Sequence, residues 1–481
     1  VSGDNMSSTF QNHTVEKIGG TSMSRLAELL EPLFRVNAPD YNRIFVVSAF
    51  GGITNLLLEH KKSQEPGVYA HFSNETEDHG WMSALTRVDA AMREAHEAVL
   101  THPADQAQAA DFVRDRIEGA RSCLIDLQRL CSYGHFRLSQ HMAITRELLS
   151  GLGESHSAFV TALLLRRHGV NARVVDLSGW RDEREMTLDE RILDGLQGID
   201  LTTEMPIVTG YAQCVEGLMN KYDRGYSEVT FSQIAALTRA REAIIHKEFH
   251  LSSADPKLVG ADNVRKLGHT NYDVADQLSN MGMEAIHPTA AKALRQAEVS
   301  LRVTNAFEPL DPGTLIDEAE AEKGVAEIVT GLDIYAFELF EQDMVGVKGY
   351  DAKVLERLTR HACRIVSKTS NANTITHYVD ASLSTIKKVE KDLSEVYPNA
   401  HISVTSAAIV AVIGRDLRGL HVLERGLGAL RKAGVEVISA HQTTRTVDAQ
   451  FVVGRESLDR SIRALHETFM PKTGKVAKLV A

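Results

Sequence analysis

No two cysteines in this sequence stand in a C-x-x-C spacing, and the four present, Cys123, Cys131, Cys214 and Cys363, follow no regular interval. Neither a zinc site nor a disulfide framework is expected, and a reducing, cytoplasmic setting fits best. Positive charge is also in deficit, since 53 Lys and Arg against 64 Asp and Glu leave a net charge of -11. That sign argues against a nucleic-acid partner, whose phosphates would be repelled, but not against a local basic site for a small anion. No stretch reads as the roughly 20 apolar residues that a membrane span needs, so none is expected. Residues 1–13 are polar, show no signal-peptide pattern, and are expected to be a disordered lead-in.

The familiar phosphate signatures are missing as well. The chain has no G-x-x-x-x-G-K-[ST] loop and neither H-R-D nor D-F-G. Gly151-Leu152-Gly153 is followed by Glu154-Ser155-His156, so the dinucleotide fingerprint G-x-G-x-x-G fails.

What is present is a chain of 481 residues, 43% hydrophobic and 24% charged, the balance of a soluble globular protein of two or three domains. Buried-strand patterns at 15–18, 43–49, 172–175, 205–209 and 243–246 alternate with helical patterns at 21–33, 82–130 and 158–168. This alternation predicts an α/β domain with a mainly parallel sheet over 14–316. A charged, alanine-rich run at 317–323 follows, and then one rhythm occurs twice. It reads as a strand at 344–347, a helix at 351–363 and a strand at 374–378, and again at 409–413, 422–433 and 435–439. A repeat of about 60–70 residues predicts two α+β modules of βαββαβ type rather than a solenoid. Their expected bounds are 330–400 and 401–481.

The first motif with chemistry in it is Lys17-Ile18-Gly19-Gly20-Thr21-Ser22, at a strand-to-helix junction. Gly19 and Gly20 lack a Cβ, so their amides can approach phosphate oxygens, and the helix start and Lys17 both favour an anion. Taken alone, the segment is equally a tight turn capped by Thr21 and Ser22.

Further motifs stand in order behind it: Val46-Val47-Ser48-Ala49, Gly52-Ile53-Thr54-Asn55, Gly153-Glu154, Gly210-Tyr211, Arg224-Gly225-Tyr226-Ser227, Ala254-Asp255-Pro256 and Ile286-His287-Pro288. Collinear over essentially the whole chain, this series resembles the aspartate kinase family of the amino-acid kinase superfamily. The C-terminal duplication resembles the tandem ACT domains of those enzymes.

The resemblance implies an amino-acid kinase fold and ATP-dependent phosphorylation of the L-aspartate side chain to 4-phospho-L-aspartate. Mg²⁺ would bridge the ATP phosphates, with no metal ligand from protein side chains. Aspartate is already ionised at neutral pH, its side-chain pKa being about 3.9, so no strong base is needed. Catalysis then reduces to charge neutralisation and positioning. By resemblance, Lys17 with the amides of Gly19 and Gly20 stabilises the transferring phosphoryl group, and Glu154 stands near substrate and lysine. Thr21, Ser22, Ser48 and Thr54 fall in substrate loops, while Arg184 and Asp189 would take the substrate carboxylate and ammonium. The nucleotide side would comprise Gly210, Tyr211, Arg224, Ser227, Lys247, Asp255 and Lys257. Ser367, Asn371 and Asn373 would receive an amino-acid effector, and the ACT modules imply a homodimer or higher homo-oligomer.

Two of these assignments have plain alternatives. Glu154 also reads as a helix N-terminal carboxylate, and the charged run at 180–189 as a solvated loop. The nucleotide side also departs from the family pattern. Gly-Arg-Gly-Gly-Ser-Asp is replaced by Asp223-Arg224-Gly225-Tyr226-Ser227-Glu228, Thr-Asp-Val by His246-Lys247-Glu248, and Gly-Ala-Lys by Gly282-Met283-Glu284. The residues around Trp180, Lys247 and Glu284 look similar to the branch associated with ectoine biosynthesis. The competing expectations are a kinase for glutamate, N-acetylglutamate or carbamate, and a catalytically dead amino-acid-binding regulator.

Overall fold

The computed structural model describes residues 10, 12–34, 41–60, 63, 65–74, 80–222, 225–283, 285–318 and 324–470. The chain divides into two compact units, residues 1–250 with 286–317, and residues 251–285 with 318–481. The segment 251–285, expected within a continuous 14–316 domain, is therefore part of the second unit. Most of the expected lead-in 1–13 lies outside the described residues, but Phe10 and His13 are buried, so its end is part of the fold.

Short apolar, β-branched runs form the strands of the first unit. They are β1 (Thr14–Ile18), β2 (Arg43–Val47), β3 (Ala172–Val175), β4 (Met205–Thr209) and β5 (Glu242–Lys247). β6 (His269–Asn271) lies in the second unit, and β7 (Ser300–Asn305) and β8 (Thr314–Asp317) return to the first. The first unit's strand order is β3-β4-β2-β1-β5-β7-β8. Pairing is parallel up to β7, and β8 closes antiparallel to it. This is the mainly parallel sheet that the alternating pattern predicts.

β1 is central and wholly buried, with Lys17 in register with Val46 on one side and Ile245 on the other. The chain leaves β1 for β2 on one flank and later returns to β5 on the other. The carboxyl end of β1 is thus the switch point at which such sheets bind ligands.

Three helical expectations change. The helix expected over 21–33 is broken into Gly20–Met23, Leu26–Leu29 and a π-turn at Leu30–Phe34, so no long dipole stands behind the glycine turn. The pattern at 82–130 splits into Gly80–Val99 and Pro103–Cys131, because Pro103 suits the first turn of a helix but not its interior.

The third change matters most. A single helix runs from Met142 to Arg167, straight through Gly151 and Gly153. A Cβ on Gly151 would lie 3.0 Å from Ser178 Cβ, and one on Gly153 only 2.8 Å from Ala49 Cβ. These glycines serve close helix packing, not a turn. The helix is long and apolar enough to cross a membrane, against expectation, but 89% of its apolar window is buried inside the protein. It is a core helix. It also removes the reading of Glu154 as an N-terminal carboxylate, since Glu154 sits mid-helix.

The second unit carries a six-stranded antiparallel sheet. Its strands are β9 (Ile328–Phe340), β10 (Arg364–Ser370), β11 (Thr374–Asp380), β12 (His401–Ile413), β13 (Val437–Gln442) and β14 (Asp448–Gly454), in the order β10-β11-β9-β12-β14-β13. The strand expected at 344–347 is a 3-10 turn with a left-handed Gly346, and its place is taken by the earlier β9. β9 and β12 pair along their full lengths, from Ile328 with Ile413 to Phe340 with His401.

Each of these two strands feeds two cores. Phe337 and Leu339 of β9 join Val354, Ile375, Ile386 and Leu393, whereas Val329 joins Val410, Val412, Phe451 and Leu465. The duplicated modules are real but interleaved, so no boundary falls at 400/401. Segment 251–285 is fastened to this unit by buried polar contacts. Glu327 accepts from Thr270 Oγ1 at 2.8 Å and from Arg415 Nε at 2.6 Å, and Ser253 Oγ lies 2.9 Å from His466 Nε2.

Candidate active site

The parallel sheet delivers Lys17 to the carboxyl end of β1, buried, with Gly19 and Gly20 directly after it. A Cβ on Gly20 would come within 2.9 Å of Ala49 O, so that glycine is required by packing. Gly19 differs. It has an ordinary extended backbone, and a Cβ there would meet nothing within 4 Å. Neither conformation nor packing explains Gly19, whereas a ligand seated against its backbone does.

Two carboxylates act on Lys17 from different helices. Glu228, near the start of helix Tyr226–Leu237, places Oε1 3.4 Å from Lys17 Nζ and accepts the backbone N–H of His287 on its other oxygen. Burial opposes its charge, but Lys17, Lys247 and the His287 amide outweigh burial and hold its pKa below the usual carboxylate range. Glu154, mid-way along helix Met142–Arg167, behaves oppositely. Burial pushes its pKa up to about 8, although Lys17, Tyr226 and the backbone amides of Tyr211 and Ala49 pull the other way. One of its oxygens, Oε2, is buried with no hydrogen-bond partner.

The arrangement therefore sets beside Lys17 one carboxylate held toward its ionised form and one carboxyl that burial biases toward its neutral form. A Glu154 biased toward its neutral form adds little negative charge against anionic ligands, and its Oε2, which no group among the described residues bonds, is open to a ligand.

The walls fix this geometry. A Cβ on Gly210 would lie 2.6 Å from Ser227 Cβ and 2.9 Å from Glu154 Oε2, so only glycine fits. Ser48 Oγ is 3.3 Å from Ser227 Oγ, and Ser48 O accepts from Ser157 Oγ at 2.8 Å. Tyr211 is buried, donates to Glu147 Oε2 at 2.6 Å, and meets the Tyr226 ring edge-on. Gly52, with φ of +87°, caps the short helix Ile53–Leu57, on which Thr54 is half-buried.

The remaining sequence candidates lie apart from this group or are engaged elsewhere. Thr21 is exposed, and Ser22 is buried with its hydroxyl on Glu248 Oε1 at 2.5 Å. Arg184 is exposed and forked between Asp182 and Asp194, and Asp189 accepts from Gln233 Nε2 at 2.6 Å. Lys247 is the exception, since its charge acts on Glu228 beside Lys17, and its ammonium also lies 6.0 Å from the Phe249 ring centre. Asp255 caps the four-residue helix Pro256–Val259 by accepting from Lys257 N, and both residues belong to the second unit. Arg224 and Glu284 lie outside the described residues.

In the second unit Ser367 Oγ is 3.1 Å from His441 Nε2, and Asn371 Oδ1 accepts the amides of Asn373 and Thr374. Asn371 lines a cavity of about 360 Å³ with Thr369, Thr376, Ser403 and Thr405, and Ser367 and Asn373 do not. Sequence reasoning did not select Glu228 or Glu147, because what singles them out is partners far away in the chain.

A family model described as the amino acid kinase family matches residues 12–305. The aspartate kinase Ask_Ect of Stutzerimonas stutzeri (strain A1501) is 50% identical over 463 residues, covering 95% of this chain and 97% of that protein. The chain belongs to the aspartate kinases of the amino acid kinase family. Two solved structures share the fold of this family member. Escherichia coli aspartokinase III in complex with lysine and aspartate (T-state) gives a TM-score of 0.71 at 20% identity, covering 95% of this chain and 100% of that one. The same enzyme in complex with aspartate and ADP (R-state) gives 0.68 at 20% identity, covering 95% and 99%. At 95% coverage both matches extend over the second unit as well as the first.

Proposed function

We propose that this protein transfers the terminal phosphoryl group of ATP to the side-chain carboxylate of L-aspartate, giving 4-phospho-L-aspartate. The observation that carries this reading is the Lys17 site: a buried lysine 3.4 Å from Glu228, a buried Glu154 whose surroundings favour its neutral form, and the open backbone of Gly19 at the sheet's switch point.

Each part has a role in bringing two anions together. The space at Gly19 fits a phosphate group, with Lys17 Nζ to neutralise the charge on the transferring phosphoryl oxygens. Mg²⁺ bound with the nucleotide would supply further neutralisation of its charge. The aspartate carboxylate attacks phosphorus while the bond to the ADP oxygen breaks, and the released ADP carries the negative charge away. No proton needs to be abstracted. Glu228 holds Lys17 in place, and neutral Glu154 adds no repulsion. Arg184 and Asp189 are assigned to substrate recognition only if their present partners are displaced.

The relative named Ask_Ect supports the ectoine branch as the destination of the product, over lysine and threonine synthesis. The free cysteines fit a cytoplasmic enzyme. The Asn371 cavity is proposed as an amino-acid effector site, and homodimerisation through the second unit as the oligomeric state.

Incubation with Mg-ATP and hydroxylamine tests the activity, because acyl phosphates are trapped as hydroxamates. Hydroxamate from aspartate is expected. Product from glutamate alone would replace the substrate, and product from no acid would favour a regulator.

A further inference from the structure

We infer that Glu147 is a positioning residue for the reaction, acting through Tyr211 on the wall that holds Glu154. The inference rests on the aspartate kinase reading. Glu147 and Glu154 lie two turns apart on helix Met142–Arg167, so both project from one side of it. Glu154 turns to the reacting centre. Glu147 turns to the stretch that follows β4, and both of its oxygens are engaged there.

Glu147 Oε2 accepts the Tyr211 hydroxyl at 2.6 Å, and Oε1 accepts the backbone amides of Met219 at 2.8 Å and Asn220 at 3.2 Å. One carboxylate thus ties residues 211–220 to the catalytic helix at two points. The turn between them fits closely: Gly217 has φ of +67°, and a Cβ there would sit 3.2 Å from Glu147 Oε1. The Tyr211 hydroxyl remains a donor at any working pH, because burial and the neighbouring Glu147 raise its pKa far above the ordinary value.

From Tyr211 the connection to the centre is direct. Its backbone amide bonds Glu154, and its ring meets the ring of Tyr226, whose side chain also bonds Glu154. The groups that act on Glu154 are therefore Lys17, Tyr226, and the amides of Tyr211 and Ala49. Only the Tyr211 amide is held from behind by Glu147. If Glu147 no longer fixes Tyr211, the Tyr211 backbone and the Tyr226 ring that meets it are free to shift, and with them the wall beginning at Gly210 that seats Glu154 beside Lys17.

Glu147→Gln is close in size but puts a donor where three donors converge. It is expected to lower kcat by about tenfold or more, with KM for aspartate changed less than about threefold. The Glu154 carboxyl, titrated in ligand-free protein by ¹³C NMR, should move upward from about pH 8 in the wild type. Tyr211→Phe removes one of the three bonds and should show the same two changes, smaller. It also keeps the test alive if Glu147→Gln folds poorly. A variant with lowered thermal stability but wild-type kcat and Glu154 titration would overturn the inference, as would a change confined to KM. If wild-type protein forms no aspartyl hydroxamate while Glu147→Gln still moves the Glu154 titration, the positioning role stands and the assigned reaction fails.

Discussion

Around Lys17, a buried carboxyl, Glu154, and a part-buried carboxylate, Glu228, are pushed toward opposite protonation states. Around Arg184, in the exposed loop and helix over 181–194, the charges pair off among themselves. Asp182 receives Arg184 and the buried Arg191, and Asp194 receives Arg184 from the other side. Both regions are rich in charge, and both were candidates for gripping an anionic substrate. The difference is that the first leaves a buried oxygen of Glu154 without a partner, while the second satisfies its own hydrogen bonds. Charge density alone does not locate chemistry. A buried polar group that the protein leaves incompletely paired does, because the fold bears a cost there that a ligand can relieve.

The comparison can be broken most directly at Lys17. Lys17→Ala should lower the single-turnover rate by roughly 10³-fold or more, while aspartate binding changes little. An unchanged rate in a rapid-quench measurement would remove Lys17 from the mechanism.

Glu154 tests the same region through stability. Its folded pKa is raised, so the folded state holds a proton that the unfolded chain releases above about pH 4.5. Stability from this group is full at lower pH and is lost as pH rises towards 8, by on the order of 3 kcal/mol between pH 5 and 8. Glu154→Gln should remove that slope in denaturant titrations, and an unchanged slope would contradict the buried protonated state.

A smaller effect of opposite sign comes from the buried pair His96 and His156, whose ring nitrogens lie 3.2 Å apart behind Phe50. Burial, reinforced by His96, lowers the His156 pKa to about 3, so the folded state resists a proton that the unfolded chain accepts. Stability is present above pH 6.5 and falls as pH decreases, by about 1–2 kcal/mol down to pH 5. His156→Gln should flatten this acid limb in the same titrations.

The smallest change is expected at the other pole of the comparison. Arg184→Ala should leave kcat and KM for aspartate within about threefold and stability within about 0.5 kcal/mol. A tenfold or larger rise in KM would show that its ion pairs open for the substrate, and the two regions would no longer contrast.

What the sequence reveals follows from how local each cause is. The Lys17 turn stands out only through the ordered motifs behind it, since alone it is equally a capped tight turn, whereas the parallel sheet is legible from its alternating pattern. Gly151 and Gly153 mislead, since a glycine packed against Ser178 or Ala49 looks like a glycine in a turn. The strand β9 is hidden for the same reason. Gly331 interrupts its pattern, and only the approach of Leu458 Cδ1, 2.5 Å from where a Cβ would stand, explains it. Glu228 and Glu147 are invisible as site residues because their partners, Lys17 and Tyr211, lie far along the chain. Interleaving of the two modules also escapes a linear reading, because β9 and β12 each serve two cores.

The central claim is that Lys17 carries phosphoryl transfer to aspartate. Hydroxamate formation at saturating Mg-ATP, measured side by side with aspartate for wild type and Lys17→Ala, tests it in one assay. The account predicts rapid product in the wild type and a loss of roughly 10³-fold in the variant. Equal product from both proteins would contradict it.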